Sequence, residues 1–180
     1  MRYAVPPPEI LIESLHQAAR PRLILLTGGR GSSKTRWCLA VRDAARRAGL
    51  AVAGVVSPPV YAHGGKVAID VMNAATGERR RLADRPSCNE AGTAGLGWRF
   101  AAAALAWGDA MLQNVPLCDL LLIDELGPLE FRGTGGFRHG FAAIEARRYR
   151  LAIVVVRPEL LPKAMTRWPG LMTIYDKDMP

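Results

Sequence analysis

An α/β fold on a mainly parallel sheet is what this 180-residue chain predicts, and three features carry that expectation. Aliphatic runs at residues 22–26, 51–56, 120–123 and 151–156 have the composition of strands buried on both faces. Amphipathic helical patterns separate them, as right-handed strand, helix, strand crossovers require. A glycine-rich loop joins the first run directly to the first helical pattern. Length and a hydrophobic content of 49% suit a single domain spanning residues 1–180, with residues 1–20 as a helical extension.

Residues 6–8 are prolines, and Leu11, Leu15 and Ala18 follow at helical spacing, so an extra N-terminal helix is expected beside the sheet, ended by Arg20 and Pro21. The strand at 22–26 opens onto a helix with Trp37, Val41, Ala44 and Ala48 on its apolar face and Gly49 as its stop. After the strand at 51–56 the rhythm changes. Residues 66–73 and 78–82, joined through Thr76 and Gly77, read as a β-hairpin inserted between the parallel units. Residues 84–97, rich in small, polar and proline residues, read as a mobile loop. Phe100, Ala104, Trp107 and Met111 form the stripe of the next helix, an ordinary core face. Beyond the strand at 120–123, a helix carrying Phe137, Phe141 and Ile144 leads to the strand at 151–156. A short helix at 158–168 and a last strand at 171–175 complete the pattern.

The loop reads Thr27, Gly28, Gly29, Arg30, Gly31, Ser32, Ser33, Lys34, Thr35. Small residues there let successive backbone N–H groups converge on an anion, the helix N-terminus adds positive potential, and a lysine reaches the outer phosphates. Lys34 fits that lysine and Thr35 the magnesium-binding hydroxyl, which makes the segment a Walker-A loop with one departure: Ser33 stands where the pattern has glycine. A serine there either takes positive φ, at about 1–2 kcal/mol, or shifts the loop. The run at 120–123 ends in Asp124 and Glu125, the form of a Walker-B strand, with a carboxylate at the edge where open α/β sheets bind ligands. Gly28, Gly29, Arg30, Gly31, Ser32, Ser33, Lys34 and Thr35 are therefore the expected nucleotide cradle, and Thr35 and Asp124 the expected Mg2+ ligands. Glu125 is the expected water-orienting base, against the plainer role of partner to a nearby arginine. Glu130 and Pro128 are expected to fix the turn after the strand.

The net charge of +8 comes from arginine rather than lysine, clustered at Arg46 and Arg47, at Arg79 to Arg81, and at Arg147, Arg148 and Arg150. No aromatic interleaving or known nucleic-acid module accompanies these clusters, so they read as solvated surface and nucleic acid is not an expected partner. Cys38, Cys88 and Cys118 lack metal spacing and read as reduced packing residues. His16, His63 and His139 likewise lack ligand spacing. No apolar stretch approaches the ~18 residues of a membrane span, nor does the start carry a signal core, and the chain reads as cytoplasmic. Arg30, Arg99 and Arg132 are candidates for an arginine that neutralises transition-state charge in cis.

The stretch Asp124, Glu125, Leu126, Gly127, Pro128, Leu129, Glu130 is more specific than a generic acidic strand. With the Gly54, Val55, Val56 strand and the hairpin containing Gly64, Gly65, Ile69, Asp70 and Val71, the chain resembles the thermophile-type nucleoside triphosphatases, small P-loop NTPases, over residues 22–175. The resemblance implies a three-layer P-loop sandwich with a RecA-like or related sheet. It also implies Mg2+-dependent hydrolysis of ATP, GTP and other nucleoside triphosphates to diphosphate and phosphate; Ser33 departs from the family's usual loop, a departure that bears on the rate more than on binding. Lys34 and Glu125 are the catalytic candidates. A small-molecule or nucleotide kinase and a non-catalytic nucleotide-dependent adapter are the alternatives, and a protein partner stays open.

Overall fold

The computed structural model describes residues 2–17, 20–86, 97–170 and 172–179. Ala18, Cys88 and residues 87–96 of the expected loop lie outside the described residues. The strands are β1 (Arg2–Ala4), β2 (Arg22–Thr27), β3 (Val52–Val56), β4 (Pro59–Ala62), β5 (Gly65–Asn73), β6 (Arg79–Asp84), β7 (Arg99–Phe100), β8 (Cys118–Leu126), β9 (Tyr149–Val156) and β10 (Met172–Asp176). The helices are α1 (Pro8–Glu13), α2 (Lys34–Arg47), α3 (Ala102–Gln113), α4 (Pro128–Arg132), α5 (Gly140–Glu145) and α6 (Leu161–Arg167).

Because successive strand residues point to opposite faces, each aliphatic run feeds two cores at once. In β2, Leu23 and Leu25 enter one apolar cluster and Ile24 and Leu26 the other. The same split places Leu121, Ile123 and Val154 on the first face and Leu120, Leu122, Ile153 and Val155 on the second. The first face is covered by α3, α5 and α6 through Ala104, Leu112, Ile144 and Leu161. The second is covered by α1 and α2 through Leu11, Trp37, Cys38 and Val41. A three-layer α/β sandwich results, as the sequence predicts.

The sheet runs β1-β10-β2-β9-β8-β3-β5-β6-β7, with β4 paired to β5. All pairings from β1 to β3 are parallel, and those from β3 to β7 antiparallel. The strand before the glycine-rich loop and the acidic strand are therefore not neighbours: β9 lies between them. Gly54 permits the close approach of β3 to β8, since a Cβ built there would stand 1.9 Å from the Leu122 carbonyl oxygen. The β3–β5 pairing sets a second feature. Val55 pairs with Asn73 and Val56 with Met72, so residues 65–71 run on past the end of β3. At about 3.3 Å per residue this is roughly 20 Å of chain beyond the C-terminal edge of the parallel strands.

Several expectations need correction. The N-terminal segment contributes a strand as well as a helix, since β1 pairs with β10 in parallel; three residues are too short to show a period. β4 begins at Pro59 and escapes strand rules because it is not a central strand. Phe100 lies in β7 rather than on α3, and Phe137 precedes α5. The fully buried side of α3 is Ala104, Gly108, Asp109 and Leu112, whereas Trp107 and Met111 are only partly buried. The Arg80 guanidinium lies 4.3 Å from the Trp107 ring centroid, so this indole packs against a cation at the margin of the core. Ala48 is exposed and caps α2. Cys38 and Cys118 are buried free thiols, and burial raises both in pKa, Cys118 to about 11. Among the described residues no helix is long and apolar enough to cross a membrane.

Candidate functional site

The loop after β2 turns back over the C-terminal edge of the sheet because Gly28 and Gly31 have φ of 136° and 80°. Ser33 adopts the left-handed conformation, φ 62° and ψ 28°, the first of the two alternatives open to a serine there. Ser33→Gly should therefore stabilise the fold by about 0.5–1 kcal/mol in urea denaturation, relief of left-handed strain outweighing the added chain entropy. An unchanged midpoint would show the serine to be unstrained. The Lys34 ammonium donates to the carbonyls of Gly28 at 2.7 Å and Gly29 at 2.6 Å and to Ser32 Oγ at 3.1 Å, which draws the loop into a closed ring around the lysine.

At the end of β8, Asp124 is 3% exposed. Burial raises its pKa to about 6, opposed by the Ser57 amide, which donates to Oδ2 at 3.2 Å, by the facing Thr35 hydroxyl and by the charge of Lys34. Lys34, Thr35 and Asp124 thus meet at one edge, although residues 35 and 124 are far apart in the chain. Glu125 is half-buried and pairs through Oε1 with Arg157 Nε. The arginine partner weighed as the plainer reading of Glu125 is thus present. Glu130 braces the turn: its carboxylate accepts from the amides of Gly127 and Phe137, both at 2.8 Å. Burial raises its pKa.

Beyond the end of β10, the Asp178 carboxylate accepts the Gly29 amide at 2.6 Å. Asp176 holds that segment in place: one of its oxygens accepts from Arg2 of β1 and the other from the Asp178 amide, both at 3.1 Å. The Lys177 amide donates to the Thr27 carbonyl at 3.0 Å.

Of the arginines proposed from sequence, Arg30 is exposed on the loop, Arg99 pairs in register with Asp84 near the sheet edge, and Arg132 is exposed at the end of α4. Sequence reading passed over Arg157, Lys66 and Asp178. Arg157 had a usable signal, since it directly follows an aliphatic run and so stands at the ligand-binding edge.

Thr35 and Asp124 supply hard oxygen donors, a hydroxyl and a carboxylate, the set with which Mg2+ is held when phosphate oxygens and water complete its shell. The residues present fit that ion. Among the described residues no three His, Cys, Asp or Glu side chains cluster as a self-sufficient metal site.

A family model described as NTPase matches residues 23–166. The chain is 32% identical over 113 residues to a nucleoside-triphosphatase THEP1 of Methanothermobacter thermautotrophicus, covering 61% of this chain and 62% of the relative. It is 27% identical over 113 residues to a nucleoside-triphosphatase THEP1 of Methanopyrus kandleri, covering 62% of this chain and 61% of the relative. The chain thus spans about three fifths of the length of these curated relatives. Among solved structures it is similar to a human cancer-related nucleoside triphosphatase, with TM-score 0.58 and 16% identity, and to THEP1 from the hyperthermophile Aquifex aeolicus, with TM-score 0.59 and 17% identity. Each likeness covers 86% of this chain and 88% of the other, and shows the fold. With 144 of 180 residues inside the family model and the P-loop fold on the page, the chain belongs to the NTPase family.

Proposed function

We propose that this protein hydrolyses nucleoside triphosphates to diphosphate and phosphate with Mg2+, accepts several bases, and works as one nucleotide-binding domain in the cytoplasm. The observation that carries the reading is the meeting of Lys34, Thr35 and Asp124 at one sheet edge, with Glu125 beside them. Phosphoryl transfer asks the protein mainly to position groups and neutralise charge. In this reading the amides of Gly29 to Thr35 and the Lys34 ammonium hold the polyphosphate, Lys34 exchanging its loop carbonyls for phosphate oxygens. The Asp178 carboxylate on Gly29 limits the first of those amides. Thr35 and Asp124 hold the metal, which when bound neutralises charge on the outer phosphate oxygens. Glu125, held by Arg157, orients a water toward the γ-phosphorus and accepts its proton.

The test is a phosphate-release panel over the common ribo- and deoxyribonucleoside triphosphates, with and without Mg2+, using Lys34→Ala as the inactive control. Mg2+-dependent release from several bases, absent in the variant, is the expected outcome. Saturable nucleotide binding without release would replace the hydrolase with a nucleotide-dependent adapter, and release that requires an added acceptor would replace it with a kinase.

A further inference from the structure

We propose that Lys66, delivered by the hairpin that runs past the C-terminal edge of the parallel sheet, is the cation that neutralises the γ-phosphoryl group as it is transferred. The proposal rests on the hydrolase reading and extends it to a residue outside the Walker segments. Three observations place the ammonium there. First, the β3–β5 register carries residues 65–71 beyond the C-terminal edge of the parallel sheet, next to β3 and on the side where β8 ends in its acidic pair. Second, the β4–β5 ladder shifts register between Val60 and Tyr61, and Tyr61 is the partner of Lys66. Such irregularities re-aim side chains. Third, the charges that act on the half-buried Lys66 are those of the site: Glu125 and Asp124 attract it, while Arg30 of the loop and Arg85 repel it.

The ammonium is seated rather than free to wander. It stands 4.9 Å from the centroid of the Trp98 ring, and among the described residues it has no ion-pair partner. Partial burial opposes its charge, and like charges nearby add to that cost. Arg30, Lys66 and Arg85 around two carboxylates, one already paired with Arg157, leave a local excess of positive charge that a polyphosphate would satisfy. Lys34 is bound within the loop, and Lys66 lies in the field of the acidic pair and of Arg30, so a phosphoryl group transferred there would meet a second amine besides Lys34 as charge spreads over its equatorial oxygens. Lys66 thus fills the part for which sequence offered only arginines.

Two measurements on Lys66→Met, Lys66→Gln and Lys66→Arg test this. In steady-state hydrolysis the Met and Gln variants should lose about 10²–10³ in kcat, with the affinity for Mg-nucleoside diphosphate within about threefold of wild type, while Arg retains most of the rate. In trapping with Mg-nucleoside diphosphate and aluminium fluoride, which mimics the transferring phosphoryl group, wild type and Arg should form the complex and Met and Gln should not. An unchanged kcat, or a loss of diphosphate affinity that matches the loss of rate, would overturn the proposal. If wild type releases no phosphate from any triphosphate, the hydrolase reading fails by itself. The fluoride trap then still decides whether Lys66 faces the transferring group.

Discussion

Glu125→Gln is expected to release phosphate about 10²–10³-fold more slowly than wild type while binding Mg-nucleotide with nearly unchanged affinity. The substitution keeps the shape of the side chain and leaves an oxygen for Arg157, but removes the charge that orients water and accepts its proton. The ion pair makes a second variant necessary. If Glu125 served only as the partner of Arg157, Arg157→Ala and Glu125→Gln would both alter stability modestly and leave kcat alone, because the pair is partly exposed, with 28% and 33% of the two side chains accessible. If the assignment is right, Glu125→Gln slows the chemical step by that full factor. Arg157→Ala instead lowers kcat by a smaller factor with the carboxylate still present but unheld. Single-turnover phosphate release and equilibrium nucleotide binding, measured separately, read the two quantities. Wild-type turnover in Glu125→Gln would remove it from the mechanism.

Asp124→Asn should stabilise the metal-free protein at neutral pH while destroying its activity. Burial raises the Asp124 carboxyl from 3.8 to about 6. That rise is on the order of 3 kcal/mol in favour of the neutral acid. The native state therefore binds this proton more tightly than the unfolded chain does. The resulting stability is fully present below about pH 4, falls as pH rises, and is gone above about pH 6. In urea denaturation with a chelator, the Asn variant should gain on wild type across that window and lead by about 2–3 kcal/mol at pH 7. Adding Mg-nucleotide should reverse the order, since only the carboxylate gains from the metal and binding to the native state adds stability by mass action. A stability difference independent of pH would mean that the folded protein ionises Asp124 as readily as the unfolded chain does. The functional carboxylate is in this view a strained guest of the apolar core, tolerated because the ligand supplies what the fold withholds.

The local parts of this molecule were legible because their causes are local. Aliphatic runs encode doubly buried strands wherever they occur, which is why β2, β3, β8 and β9 were readable from composition alone. The rhythm change at residues 66–73 marked the hairpin for the same reason, since alternation reports a half-buried face. Ser33 was readable as an anomaly because a left-handed position before the helix is a property of the loop's own backbone. The elements that escaped were short or marginal. β1 and β7 contain three and two residues, too few for any period to show. The stripe assigned to α3 slipped by one residue because Arg80 of a neighbouring strand lies over Trp107, a contact no helical wheel contains.

By itself the chain marked which groups are the candidates for phosphate and metal, because a glycine-rich loop before a helix and a carboxylate after an aliphatic strand each carry their chemistry within about ten residues. Tertiary structure alone decided what surrounds those groups. The insertion of β9 between β2 and β8 brings Arg157 to Glu125, the β3–β5 register carries Lys66 past the C-terminal edge of the sheet, and Asp176 sets Asp178 against Gly29. Such meetings follow from strand order and register, which are settled by packing across the whole sheet, so no window of sequence records them.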